Sequence, residues 1–258
     1  MRNITDWRRQ INRVLRPYID LKSLAISVLE TPRFLSQFVK YRAVSQEAVP
    51  LGEIYPALQD RRAGAGNYDP HYFQQDLWVA RRIMAARPAL HVDVGSRVDG
   101  FVAQLSLVVP VEFVDLRAWG LEIQNLRYRQ GDLYSLPYPD GSLASLSSLH
   151  VVEHVGLGRY GDRLDPDGPV RALLELQRVL APGGTLYLSV PVGQPRVCFN
   201  SHRVFAPEFV VARLSELTLV HFAGIDDAGV FREEVSPAAL AGSDYALGIY
   251  EFQRPRAA

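Results

Sequence analysis

Residues 90–191 most constrain what this chain can fold into, because short apolar runs alternate there with helix-like stretches. Strands are expected at 90–94, 111–115, 126–130, 144–149 and 184–190. Helical stretches are expected at 98–107, 118–123 and 169–180. Short Val/Leu-rich strands separated by helices predict a parallel sheet covered on both faces, an α/β fold of Rossmann-like kind. The tail adds a helix at 207–215 and apolar strands at 217–224 and 245–252, read as an antiparallel hairpin at the sheet edge. Before this unit, 3–16 and 18–42 carry helical periodicity. Residues 45–72 form a Pro- and Gly-containing connector, and a further helix is expected at 74–87. The expected division is an N-terminal helical extension with connector over 1–73 and an α/β domain over 74–258.

Charge narrows the partners. The chain is neutral overall, with 28 Lys+Arg against 28 Asp+Glu. Residues 1–42 hold nine basic and three acidic side chains, leaving nineteen basic and twenty-five acidic in the rest. The basic segment suits a peripheral membrane or an acidic partner, or packs as a solvated helical face; a homodimer contact is the other expectation. The net acidic remainder, without a base-stacking motif, argues against nucleic acid. Cys198 is the single cysteine, which excludes an internal disulfide and suits a reducing compartment. No apolar run approaches the ~20 residues that span a bilayer. The expected location is cytoplasmic.

In open α/β sheets, ligands bind beyond the carboxyl ends of the strands. Val92-Asp-Val-Gly-Ser-Arg-Val-Asp-Gly100 places Asp93, Gly95, Ser96 and Arg97 in the first such loop. Asp93 is a candidate for the cationic end of an amino-acid ligand; a plain strand-to-helix turn is the bland alternative. Asp115, with Leu116 after it, ends the second strand about 20 residues on, a position suited to ribose hydroxyls or to a strand cap. Asp132 and Leu133 end the third, suited to an adenine amino group and ring, or to an Asx turn. The loop after the fourth strand gathers His150, Glu153, His154, Arg159, Tyr160 and Asp162. His150-Val-Val-Glu-His154 also matches the H-x-x-E-H pattern of inverted zinc peptidases. The surrounding motifs belong to another fold, and no metal site is expected. Asn200, His202 and Arg203 follow the fifth strand. Arg203 is a candidate bidentate clamp for a carboxylate or phosphate.

These motifs resemble the class I S-adenosylmethionine (SAM)-dependent methyltransferases across roughly 74–253, above all through Arg178-Val-Leu-Ala-Pro-Gly-Gly-Thr-Leu186. The first-loop motif, His154-Val-Gly-Leu-Gly-Arg-Tyr-Gly-Asp162 and Phe199-Asn-Ser-His-Arg-Val-Phe205 more narrowly resemble the uncharacterised DUF268 family. The resemblance implies a seven-stranded methyltransferase sheet and SAM as cofactor. It implies SAM contacts from Asp93, Gly95, Ser96, Arg97, Asp115, Leu116, Asp132 and Leu133. It also implies methyl transfer to a small polar acceptor, with a saccharide hydroxyl of a bacterial surface glycan as one such acceptor. His154 is the first candidate base, with His202 and Asp162 as further catalytic candidates. Arg159, Tyr160, Asn200 and Arg203 are candidate acceptor contacts. The first loop departs from Asp-x-Gly-x-Gly-x-Gly: Arg97 and Asp99 stand where glycines are usual. That departure leaves a rival expectation, a non-catalytic binding or assembly subunit of the same fold.

Overall fold

A computed structural model describes residues 19–46, 49–50, 54–62, 68–120 and 122–256. The chain divides into two compact units after Tyr68. The expected helix over 3–16 lies outside the described residues. The first unit holds α1 (Leu21–Val44) and a short 3-10 turn at Asp60–Arg62.

In the second unit, Asp69 caps α2 (Pro70–Ala86) by accepting from the His71 N–H at 2.9 Å, and Pro70 needs no partner at the helix start. The parallel strands follow: β1 (His91–Val94), β2 (Val111–Asp115), β3 (Leu126–Gln130), β4 (Leu143–Leu149) and β5 (Leu180–Val192). Every residue of β1 and β2 is buried, as the apolar runs required. Helix α4 (Gly168–Val179) joins β4 to β5, a short α3 (Ala103–Leu105) lies between β1 and β2, and α5 (Pro207–Arg213) precedes β8. A ribbon of β6 (Arg196–Cys198) and β7 (His202–Val204) branches off after β5. The strands β8 (Thr218–Ile225), β9 (Phe231–Arg232) and β10 (Ala246–Gln253) complete a sheet of order β3-β2-β1-β4-β5-β10-β8-β9.

The seven expected strands are present, with the two-residue β9 added at the edge. The tail strands do pair antiparallel, but β10 inserts between β5 and β8. Its apolar Leu247, Ile249, Tyr250 and Phe252 are all fully buried, which a central place satisfies better than an edge. β5 is longer than expected because Pro182-Gly183-Gly184 bends without leaving the sheet. A Cβ on Gly184 would stand 2.8 Å from the Ala181 carbonyl and 2.9 Å from that of Leu143, so only glycine fits.

Two helical expectations change. Residues 98–105 open as a wide turn at Val98–Val102, with the Val102 N–H reaching back to the Arg97 carbonyl at 3.3 Å. Asp76 of α2 presses there: a Cβ on Gly100 would lie 2.6 Å from its Oδ2. The stretch near 118–123 is a loop among the described residues. Trp119 is held edge-on against Phe113 and Tyr128, at 5.5 and 6.3 Å.

Two apolar layers sandwich the sheet. One holds Leu146, Leu173, Leu176, Leu186 and Tyr250, covered by α4. The other holds Trp78, Ile83, Phe101, Phe113 and Ile249, covered by α2 and the wide turn. Between β1 and β4 runs a buried polar chain. Ser147 donates to Asp93 Oδ2, so its own lone pair accepts from Nε2–H of His91 at 2.8 Å. Nδ1 of His91 then accepts from Ser145 at 2.8 Å. Ser96 donates to Asp93 through N–H at 3.0 Å and Oγ at 2.6 Å, and accepts from the Leu149 N–H at 2.9 Å.

Burial pushes the His91 imidazole down to about 3. The folded pKa lies below the unfolded one, so the folded state binds fewer protons between them. This group therefore favours folding above about pH 6.5, and that contribution is lost as pH falls toward 3. At about pH 5 the loss is on the order of 2 kcal/mol. In urea denaturation, His91→Gln is expected to be less stable than wild type near neutral pH. The gap is expected to narrow by that amount near pH 5; a constant gap would refute a neutral buried His91.

Candidate active site

The carboxyl ends of β1 to β4 open on one cleft of about 670 Å3, its solvent mouth included. Gly95, Asp115, Asp132, Leu133, His150 and Tyr160 are among its walls. Gly95 adopts φ +76°, and a Cβ there would meet Val151 at 3.0 Å. Both the turn and the close approach of the β4 loop therefore need glycine.

Asp93 and Ser96 do not line this cleft. Their polar groups are consumed in the buried chain that pins the loop to β4. Burial pushes the Asp93 carboxyl up to about 6, against the hydrogen bonds from Ser147 and Ser96. The Asp93 carboxylate thus meets Ser96 and Ser147. Arg97 also lies off the cleft wall. It makes a bidentate pair with Asp99, at 3.1 and 3.0 Å, and its guanidinium lies 4.8 Å from the Tyr72 ring centre. The two residues that break the glycine pattern thus neutralise each other outside the cleft.

Asp115 does line the cleft, with Leu116 beside it. Its oxygens accept from the Arg117 backbone N–H at 2.8 Å and from the Arg117 guanidinium at 2.9 Å twice. Arg117 continues over the Tyr160 ring at 4.8 Å, and Arg159 approaches the same ring at 5.1 Å. Asp132 closes an Asx turn by accepting from the Tyr134 N–H at 2.9 Å, while Leu133 is buried against the wall.

The loop after β4 supplies the titratable groups. His150 has φ +57°, unusual for a residue with a Cβ. Its Nδ1 lies 2.7 Å from Oε1 of the fully buried Glu153. Burial alone would raise the Glu153 carboxyl, but the charge and hydrogen bond of His150, with the charge of His154, hold it below its usual range. With Nδ1–H donating to Glu153, the lone pair of His150 sits on Nε2, which is buried and has no hydrogen-bond partner among the described residues. His154 is arranged differently. Nδ1–H donates to the Ser201 carbonyl at 2.6 Å, and Nε2 faces Glu153 at 3.7 Å. Around His150 stand Tyr72 at 4.8 Å and His71 at 5.8 Å. Burial first, and His150 second, push the His71 imidazole down to about 4. Tyr245 links His71, at 5.3 Å, to His202, at 5.2 Å. Burial lowers the His202 imidazole as well.

Further residues singled out in the sequence contact the backbone. Asp162 lines the cleft and accepts from the backbone N–H groups of Gly156 at 2.7 Å, Gly158 at 3.3 Å and Tyr160 at 3.2 Å, which holds the loop. Arg203 is buried, and its guanidinium donates to the carbonyls of Val155 at 2.6 Å and Asp165 at 3.4 Å. The H-x-x-E-H residues form a hydrogen-bonded turn, with the His154 N–H donating to the Val151 carbonyl at 2.9 Å. Arg159 donates to the Ser201 carbonyl at 3.0 Å, and Asn200 is exposed beside that residue. The His150–Glu153 hydrogen bond and the ring contacts of Tyr72 and Tyr245 with neighbouring histidines were not foreseen from the sequence. The i,i+3 spacing of His150 and Glu153 was the available signal.

A family model described as Caenorhabditis protein of unknown function, DUF268, matches residues 140–235. No curated protein matches the sequence. Among solved structures, the [4+2]-cyclase SpnF superposes with a TM-score of 0.51 at 16% identity, covering 75% of this chain and 85% of its own. The N-methyltransferase NodS from Bradyrhizobium japonicum WM9, in complex with S-adenosylhomocysteine (SAH), gives 0.51 at 14% identity, covering 74% and 90%. A putative sarcosine dimethylglycine methyltransferase from Galdieria sulphuraria gives 0.50 at 13% identity, covering 70% and 86%. The chain has the fold of the class I SAM-dependent methyltransferases.

Arg203, on β7, holds both ends of the connection between β4 and α4 through the Val155 and Asp165 carbonyls, so its loss leaves them without that donor. Arg203→Met is expected to destabilise the protein by about 1–3 kcal/mol in urea denaturation. A change below about 0.5 kcal/mol would show that water replaces it.

Proposed function

We propose that this protein is a SAM-dependent methyltransferase acting on a small polar acceptor. The observation that carries the reading is the coincidence in one cleft of a ribose-level carboxylate, Asp115, with a base whose lone pair is unclaimed, His150. The cleft also suits the cofactor in chemistry. Small-ligand sites have mostly apolar walls and a few polar groups. Here Val94, Val114, Leu133, Val151 and Val155 supply the apolar wall, with Asp115 and Asp132 at the ends of their strands.

SAM, when bound, supplies an electrophilic methyl group on a sulfonium. The chain has to hold the cofactor, orient the acceptor and take its proton. Gly95 lets the backbone approach, Asp115 and Leu116 face the ribose, and Asp132 with Leu133 face the adenine. Accepting ribose hydroxyls at Asp115 requires Arg117 to share or release that carboxylate. For the proton, His150 serves better than the two histidines singled out from sequence. A base needs a free lone pair and a partner that stabilises the imidazolium. His150 has both, through Nε2 and Glu153. Nε2 of His154 is directed at a carboxylate, and His202 lies beyond Tyr245. Arg159, Tyr160 and Asn200 form a polar rim suited to a hydroxylated acceptor, a saccharide hydroxyl being one such group.

A second reading, a binding or assembly subunit without turnover, has one observation in its favour: Arg117 already satisfies Asp115. Equilibrium binding of radiolabelled SAM separates the two readings. Micromolar binding is expected, weakened roughly 10- to 100-fold in Asp115→Ala, the loss of about 1–3 kcal/mol. Unchanged affinity removes Asp115 from the site, and no binding by folded wild type favours the second reading. Turnover is followed as SAH released with a panel of small hydroxyl compounds. His150→Gln is expected to keep SAH affinity and to lose on the order of 10²–10⁴ in rate, with His154→Gln losing less. The opposite order would return the base to His154.

A further inference from the structure

Helix α1 has two apolar faces, and only one of them is used within its own unit. Asp20 caps it, accepting from Lys22 N–H at 3.0 Å and Ser23 N–H at 3.2 Å. Phe34, Phe38 and Tyr41 share a small cavity with Val49, Ile54 and Tyr55. Glu30, buried on the same side, lies 4.0 Å from Arg61, and Ser23 reaches Gln59 at 3.4 Å.

The neighbouring face, about 115° round from the packed one, is apolar and open. Leu21, Leu24, Val28, Leu35 and Val39 are 44%, 53%, 64%, 54% and 66% exposed. At the ~100° per residue of an α-helix, these five fall within a sector of roughly 60°. Lys22, Arg33 and Lys40 form a row about 100° round from the stripe, and Arg42 borders its other side. Lys22 and Lys40 are the only lysines in the chain. Glu30, the one acidic residue of α1, faces inward, so every exposed charge on the helix is positive. In sequence, residues 1–18 add five arginines against one aspartate.

We propose that α1 docks this protein on an anionic lipid surface, lying in the plane of the interface. The stripe enters the acyl boundary while the lysine row reaches the headgroups, the arrangement long basic side chains favour beside an apolar surface. No described helix is long and apolar enough to cross a membrane, so the helix lies along it. A second copy of the chain is a poorer occupant. The exposed part of α1 offers no acidic side chain to meet its own basic row. An anionic bilayer complements both the stripe and the row.

The test is co-sedimentation of the full chain with vesicles of phosphatidylcholine alone, or with added phosphatidylglycerol, at low and high salt. The bound fraction is expected to rise with phosphatidylglycerol and to fall with salt. The triple variant Leu24→Glu, Val28→Glu, Val39→Glu is expected to lose more than about tenfold in partitioning. Its circular dichroism should match wild type, since the altered positions are exposed. The pair Lys22→Ala, Lys40→Ala is expected to bind more weakly and with less salt dependence. The proposal is overturned by folded wild type that ignores phosphatidylglycerol vesicles, or by a triple variant that binds as wild type does. It is equally overturned by a concentration-dependent dimer that the triple variant abolishes, which would make a second copy the occupant.

Discussion

The buried chain from His91 through Ser147 and Asp93 to Ser96 is the interaction on which the rest of the site depends. It joins β1 to β4 at the edge where the cleft opens. Each polar atom in it has a partner, which is the condition for keeping such groups in a core. Its last link, Ser96 to the Leu149 N–H, fixes the glycine loop against the residue that precedes His150. The glycine loop after β1 and the loop after β4 are therefore positioned by one network. The neutral state of His91 is part of that arrangement, because a charged imidazole there would have no anion to face.

Above this network the cleft divides its chemistry between two sides. On the β2 side, Asp115 is held by Arg117, and Arg117 by Tyr160. On the β4 side, Glu153 lies between two histidines, hydrogen-bonded to Nδ1 of His150 at 2.7 Å and 3.7 Å from Nε2 of His154. His150 has left-handed backbone, and the buried carboxylate three residues on holds its Nδ1 and leaves Nε2 without a hydrogen-bond partner among the described residues. Strained backbone at such a position is a common mark of a functional site. Asp162 and Arg203 spend their polar atoms on the backbone of the same loop, giving a flexible-looking sequence a fixed shape.

Much of the fold was legible in the sequence. Continuous Val/Leu runs between helical stretches can only be buried parallel strands, and they lie where the pattern placed them. What escaped the reading depends on contacts distant in sequence. The wide turn at Val98–Val102 is set by Asp76, on a helix that precedes the first strand. The loop at 116–120 carries Trp119 packed on Phe113 and Tyr128. β10 enters the sheet interior because burial on both faces satisfies its side chains. Within the site, strand-end carboxylates and the glycine were readable from spacing alone. Arg97 was not, since its direction follows from Asp99 and from Tyr72 on α2. Nor was the choice of His150 over His154, because it rests on a backbone angle and on which nitrogen Glu153 occupies. Neither leaves a trace in residue order.

The central claim is that the cleft holds SAM with its methyl group turned toward His150. Nuclear Overhauser spectroscopy of the protein with [methyl-13C]SAM tests it directly, with His150→Gln used to assign the ring signals. The account predicts saturable binding and cross-peaks from the methyl protons to the His150 imidazole. Saturable binding with the methyl group in contact only with other residues would contradict it, as would a folded protein that does not bind the cofactor.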